Sequence, residues 1–257
     1  MLEPERQELI LRILRQGRFV SVSDITQLAH CSEATVRRDL AKLESAGRLH
    51  RIRGGAKLAG VNQYDGEPTA QLPFEYRKGI LLEKKRLIAR KAASLCVNDE
   101  TVIVDGGSTT FQMVEYLREA RITIITNSFA IAEALVKNSQ NTVILNGGIV
   151  HPDSQLILDP FQEEGFRNYS PAKVFMGVYG IDELGATNTD MLLIKTERAM
   201  IERGKELIIL ADSSKFNRRG NLFLCGFEKI HTIITDGGIS QQQREIVQAK
   251  NVELIVV

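Results

Sequence analysis

From about residue 77 onward, apolar residues come in short runs separated by amphipathic stretches. The runs cover 101–105, 122–126, 142–146, 174–178, 206–212, 231–236 and 252–257, and β-branched residues dominate them. Each is too short for an independent helix and most lack strict alternation, the pattern of strands buried on both faces. Helical patterns fill the gaps, over 83–96, 110–118, 130–137, 191–204 and 241–250. This order predicts an α/β fold with a mostly parallel sheet covered on both sides.

The first 57 residues follow another pattern. Leu9, Ile10, Ile13 and Leu14 form one stripe of a helix over 5–16, with Arg6, Arg12 and Arg15 on its other faces. Residues 19–22 alternate like a short strand. Ser23 is then placed to cap a helix over 24–29 whose Ile25 and Leu28 face inward. After a turn at 30–31, Ser32 caps a second helix that Gly47 closes. In that helix Val36, Leu40 and Leu43 form the buried stripe, leaving Thr35, Arg37, Arg38 and Lys42 to the other faces. Residues 48–53 alternate as a strand, Gly54-Gly55 permits a tight hairpin, and 56–58 return.

A helix, a capped turn, a second helix with an arginine pair and a basic hairpin make a winged helix-turn-helix. Ser32, Thr35, Arg37, Arg38 and Lys42 on the second helix, with Arg51, Arg53 and Lys57 on the wing, are the expected DNA contacts. The expected division is a DNA-binding domain at 1–57, a Gly/Pro-containing linker at 58–76 and an α/β effector domain at 77–257. Charge follows that division. Residues 1–57 hold 11 Lys/Arg against 7 Asp/Glu, a balance of +4, and the remaining residues hold 22 against 25, a balance of −3. A polyanion partner at one end fits this asymmetry.

The apolar runs fall short of the ~20 residues that span a bilayer, so no membrane partner is expected. The charged start MLEPERQELI is unlike a signal peptide. Cys31, Cys96 and Cys225 are scattered without metal-ligand spacing, as in a cytoplasmic protein with reduced thiols and no metal or cofactor.

In parallel sheets ligands bind beyond the carboxyl ends of the strands. The polar or Gly-rich turns there are 105–110, 126–128, 146–148, 180–182 and 212–215. Asp105, Gly106, Gly107, Ser108, Thr109, Thr110, Asn127, Gly147, Gly148, Asp182 and Lys215 are therefore the candidate effector-binding residues. Glycines let the backbone approach a ligand, hydroxyls donate hydrogen bonds, a helix N-terminus favours an anion, and Lys215 supplies a cation. Asp190 reads better as a helix cap, and His151 and His231 as structural.

The stretch Phe19-Val20-Ser21-Val22, Ser32, Thr35-Val36-Arg37-Arg38-Asp39-Leu40, Leu43-Glu44, Gly47 and Arg53-Gly54-Gly55-Ala56 resembles the DeoR family of bacterial repressors. Pro73-Phe74, Asp105–Thr110, Thr126-Asn127, Asn146-Gly147-Gly148 and Asp212-Ser213-Ser214-Lys215-Phe216 extend the likeness along the chain. Two segments depart from it. Ala29-His30-Cys31 lacks the usual turn glycine. Residues 154–160, with Thr189-Asp190-Met191-Leu192, stand closer to the subgroup that regulates L-ascorbate use.

The resemblance implies an effector domain similar to ribose-5-phosphate isomerase and a phosphorylated sugar or sugar acid as effector. The function expected is a non-enzymatic repressor, a homo-oligomer (dimer or tetramer) on operator DNA. The alternative is a sugar-phosphate isomerase-like enzyme with an accessory DNA module, in which Asp105 or Asp182 would be the base. A winged helix used for protein contacts fits the arginine-rich wing poorly.

Overall fold

In the computed structural model, residues 2–17, 19–52, 54–58, 72–158 and 166–257 are described. Arg53, most of the expected linker (59–71) and the end of the 154–160 segment lie outside them. The chain forms two compact units, Met1–Glu67 and Pro68–Val257.

In the first unit α1 (Glu3–Gly17), α2 (Val22–Ala29) and α3 (Glu33–Ser45) pack with a sheet of β1 (Phe19–Ser21), β2 (Leu49–Ile52) and β3 (Gly55–Leu58), in the order β1-β3-β2. Ile10, Leu11, Leu14, Val22, Ile25, Val36, Leu40, Leu43 and Leu49 make its core. Two expectations shift here. The cap of α2 is Ser21, not Ser23: Ser21 Oγ accepts from Asp24 N at 2.8 Å, and the Asp24 side chain closes a capping box on Ser21 N. Because the helix begins at Val22, its inner face is Val22, Ile25 and Ala29, and Leu28 is 55% exposed.

The second unit is built on β4 (Thr101–Val104), β5 (Thr123–Thr126), β6 (Thr142–Leu145), β9 (Lys173–Met176), β12 (Glu206–Leu210), β14 (Thr232–Thr235) and β15 (Glu253–Val256). All seven are parallel, in the order β15-β14-β12-β9-β4-β5-β6. Alternate residues of one strand feed opposite cores: Ile103 packs with Val174, Met176, Ile209 and Ile233, and Val102 and Val104 with Ile124, Phe175, Ile208 and Ile234. Burial on both faces is why these strands carry no hydrophobic alternation. The second of these cores is closed by α5 (Leu82–Ala93), α6 (Val114–Leu117) and α7 (Phe129–Asn138), and the first by α8 (Met191–Arg203) and α9 (Gln241–Gln248).

Further elements add to the sequence reading. A short α4 (Phe74–Arg77) precedes α5. A hairpin of β7 (Ile149–His151) and β8 (Leu156–Leu158) follows β6, and β10 (Gly180–Asp182), β11 (Gly185–Asn188) and β13 (Leu222–Gly226) form a separate antiparallel sheet. Residues 180–182 are thus a hairpin strand, not a turn ending a parallel strand. Asp182 Oδ1 accepts from Leu184 N and Gly185 N at 2.9 and 3.3 Å and closes that hairpin. The segment over 110–118 begins as a 3-10 turn, Thr110–Met113, because Thr110 Oγ1 ties to both N and O of Gly107 and tightens the entry.

Candidate functional site

In the first unit, α3 presents its polar face as expected. Ser32 is its N-cap, accepting from Thr35 N at 3.3 Å, with the two hydroxyls 2.9 Å apart. The turn that lacks a glycine is made by His30, which takes the left-handed conformation at φ 48°. Arg37 and Arg38 are exposed, and Arg37 pairs with Glu33, one turn back, at 3.1 Å with both side chains in solvent. Lys42 contacts Glu3 at 2.6 Å and Arg51 contacts Glu44 at 3.3 Å, so these two cations already hold acidic partners. Arg53 and the Lys57 side chain lie outside the described residues.

Between the two exposed arginines and Leu40, Asp39 turns inward. Arg6 of α1 grips it through Nε at 2.5 Å and Nη2 at 3.2 Å, with Asp39 only 1% exposed. The Arg-Arg-Asp run therefore divides its labour: two arginines for solvent and one carboxylate that fixes α3 against α1. No earlier signal paired Arg6 with Asp39, because the contact is long-range.

In the second unit, the parallel strands bring their carboxyl ends to one rim. After β4, Asp105 is buried and receives Asn127 Nδ2 at 3.1 Å, while Asn127 Oδ1 accepts from Gly106 N at 2.8 Å. Burial raises the Asp105 carboxyl to about 6, against the opposing pull of Asn127, the Gly106 and Gly177 backbone and Arg77. Asn127, fully buried, thus organises the loop instead of facing open space. Thr110 is equally committed to Gly107, and Thr109 is buried. Gly106 lies so close to its neighbours that a Cβ there would meet Leu156 Cδ2 at 2.0 Å and Asn127 Oδ1 at 3.1 Å.

Ser108 is the hydroxyl at the mouth of this loop. Lys85 of α5 donates to Ser108 Oγ at 3.0 Å and to the Arg77 carbonyl oxygen. Burial pushes the Lys85 ammonium down to about 7; Lys215 and Arg77 act in the same direction and Asp212 opposes. Lys215, on the turn after β12, is lowered too, by burial and by Arg218 and Arg77, against Asp212. Arg77 is itself lowered by burial, and its buried Nε has no hydrogen-bond partner among the described residues. Lys215 and Arg77 thus disfavour the charge on Lys85, and Arg77 that on Lys215, while Asp212 partly offsets both.

Of the expected effector residues, the structure gathers Asp105, Gly106, Gly107, Ser108, Thr109, Thr110, Asn127 and Lys215 on this rim. Gly147 and Gly148 follow the edge strand β6 and are exposed, and Asp182 sits in its hairpin paired with Arg219 at 3.2 Å. Sequence reasoning missed Arg77, Lys85 and Glu197. Glu197 is 1% exposed on α8, both its oxygens accept from Asn188 Nδ2, and burial with the Asp105 charge holds it well above the usual carboxylate range. A signal existed for two of them. Lys85 falls in register with Ile88, Ala89 and Ala92, and Glu197 with Ile194 and Met200, each a charge on a buried apolar stripe.

Elsewhere, Lys84 is matched by Asp236 at 2.9 Å and Ser213 at 3.1 Å. His231 Nδ1 accepts from Leu207 N at 3.1 Å, a structural role, and Asp190 caps α8. Among the described residues no cluster of metal-ligating side chains occurs and no helix is long and apolar enough to cross a membrane. Burial pushes the Cys96 and Cys225 thiols up to about 12.

Comparison with known proteins agrees with both halves. Residues 6–60 match the DeoR-like helix-turn-helix domain and residues 81–237 the DeoR C terminal sensor domain. Over 98% of its length the chain is 32% identical to a putative aga operon transcriptional repressor of Escherichia coli O157:H7, covering 93% of that protein. It is 28% identical to the HTH-type transcriptional regulator UlaR of Shigella dysenteriae serotype 1 (strain Sd197), across all of both chains. A partial likeness to ribose 5 phosphate isomerase A of Neisseria gonorrhoeae has a TM-score of 0.38 at 18% identity, over 52% of this chain and 53% of that one. With a DeoR-like reading domain, a DeoR sensor domain and full-length relatives that are transcriptional regulators, the chain belongs to the DeoR family of transcriptional regulators.

Proposed function

We propose that this protein is a ligand-controlled repressor of an operon for sugar or sugar-acid breakdown, acting in the cytoplasm without catalysis. α3 enters the major groove with Thr35, Arg37 and Arg38 at its exposed face, and the β2–β3 hairpin grips the backbone through Arg51, Arg53 and Lys57. One recognition helix covers too few base pairs for useful specificity. Two copies therefore read half-sites about 34–36 Å apart or a multiple of that.

The effector is a phosphorylated sugar or sugar acid. The observation that carries this is the buried Lys85 held on Ser108, with Lys215 and Arg77 close enough to depress its charge and the buried Arg77 Nε without a hydrogen-bond partner among the described residues. A dianionic phosphate brings acceptor oxygens and charge to such a place at once. The enzyme reading is weaker. Its candidate base Asp105 is 3% exposed and engaged by Asn127, and Asp182 closes a hairpin. Thermal shifts of the full chain with pentose and hexose phosphates, their unphosphorylated parents and inorganic phosphate test the effector class, since a ligand of the native state raises its stability. Stabilisation by phosphorylated compounds alone supports the reading. Equal stabilisation by the parents, or turnover of any sugar phosphate, overturns it.

A further inference from the structure

β6 is the last strand of the seven-stranded sheet, bonded to β5 on one side and, among the described residues, to nothing on the other. Thr142 N donates to Ile122 O and Asn146 N to Thr126 O, so the even-numbered residues turn their backbone toward β5. By strand alternation Val143 and Leu145 present their N–H and C=O groups outward. Leu145 on this strand is 41% exposed, and Ile149 and Val150, on the strand that follows it in the chain, are 57% and 48% exposed.

Natural proteins protect such edges with charge, proline or a covering segment. Two other edges in this unit carry charge. The Arg198 guanidinium donates to the carbonyl oxygens of Phe223 and Leu224 on β13, and β15 starts with Glu253. Around β6 charge is missing, for the stretch 141–151 contains no Asp, Glu, Lys or Arg, and among the described residues no strand pairs with its outer edge.

We propose that the outer edge of β6 is where two copies of this chain pair, strand against strand about a two-fold axis. The exposed backbone requires that the occupant be a strand. The absence of charge makes the surface compatible with itself, and it offers a charged partner nothing to pair with. A two-fold axis through Ile144 sets Val143 of each copy opposite Leu145 of the other, so that both outward-facing residues exchange their N–H and C=O bonds. The two sheets then run on as one, and Leu145 leaves water. The proposal rests on the reading of the protein as an oligomer on two half-sites, and it names the surface responsible.

Sedimentation velocity on the full chain tests it with two variants. Val143→Pro removes an N–H that β5 does not use, and Leu145→Lys places a charge on the edge. The wild type is expected to sediment as a dimer or an even multiple, and each variant to raise the dissociation constant of that pairing roughly tenfold or more. A wild type that is monomeric at every concentration, or folded variants that associate as the wild type does, would overturn the proposal. Should a variant lose its folded circular dichroism, hydrogen exchange on the wild type decides. The Val143 and Leu145 amides are expected to be protected in concentrated solution and to exchange on dilution; exchange independent of concentration counts against the pairing. Binding to random duplex DNA separates the two readings, because a dimer through β6 that binds no duplex keeps the interface and loses the DNA-reading role.

Discussion

The Lys85 ammonium stands 3.0 Å from Ser108 Oγ while also donating to the Arg77 carbonyl oxygen, so one buried cation joins α5, the end of α4 and the loop after β4. An anion at Ser108 gains this cation, with Lys215 near it, and relieves the mutual repulsion with Arg77.

Replacing Lys85 with methionine removes the charge while keeping most of the volume. Burial already disfavours that charge, so the ligand-free variant is expected to stay within about 1–2 kcal/mol of wild-type stability. The thermal shift given by an active phosphorylated ligand should fall sharply, with affinity lowered roughly 10–100-fold. A variant that binds the ligand as the wild type does would remove Lys85 from the site.

The pH dependence has a definite sign. Lys85 titrates near 7 in the native protein and near 10.5 when unfolded. Between these values the unfolded chain binds the extra proton, so this residue makes stability rise with pH, and below about 7 its slope vanishes. Asp105, raised from 3.8 to about 6, works oppositely: the native state holds the proton in that window and stability falls as pH rises through it. An anionic effector needs Lys85 charged. Binding at pH 8 should therefore take up a proton, measurable by calorimetry in buffers of different ionisation enthalpy. Affinity should decline above pH 7, more weakly in Lys85→Met.

Much of this arrangement was legible in the sequence. The parallel sheet followed from unalternated β-branched runs, and the rim loops 105–110 and 212–215 from the polar turns that end those runs. The placement of 180–182 as a turn failed because an antiparallel hairpin strand and a turn after a parallel strand share a Gly-x-Asp pattern; pairing with β11 separates them. Arg77 was hidden differently, as one cation at the end of a four-residue helix too short to show periodicity. Asp39 was visible in the motif but not its role, since its partner Arg6 is 33 residues away.

At Gly106 a methyl group has no room. Gly106→Ala would strike Leu156 and crowd Asn127, and is expected to cost about 1–3 kcal/mol. Because the nearest atom is a side-chain methyl of Leu156, Leu156→Ala should not add its full cost on top. A double-mutant cycle by urea unfolding measures the coupling, and simple additivity would show that the two positions do not meet.

Asp39→Ala removes the buried carboxylate that holds the Arg6 guanidinium and should destabilise the first unit by about 1–3 kcal/mol. Replacing both partners, as Arg6→Met with Asp39→Leu, should recover much of that loss. The pair is judged by unfolding followed through proteolysis of the first unit, and a single variant of wild-type stability would contradict the packing described for α1 and α3.

The central claim is that an anion at the sensor rim controls a DNA-reading helix, and anisotropy on a duplex selected by the wild-type protein from a random pool tests it most directly. At fixed salt, with a phosphorylated ligand that stabilises the protein, wild-type affinity is predicted to change by about 5–150-fold. The unphosphorylated parent should change nothing, Lys85→Met should bind the duplex normally but fail to respond, and Arg37→Ala or Arg38→Ala should lose about 1–3 kcal/mol of DNA binding. Equal responses to both ligands, or undiminished DNA binding in both arginine variants, would contradict the account.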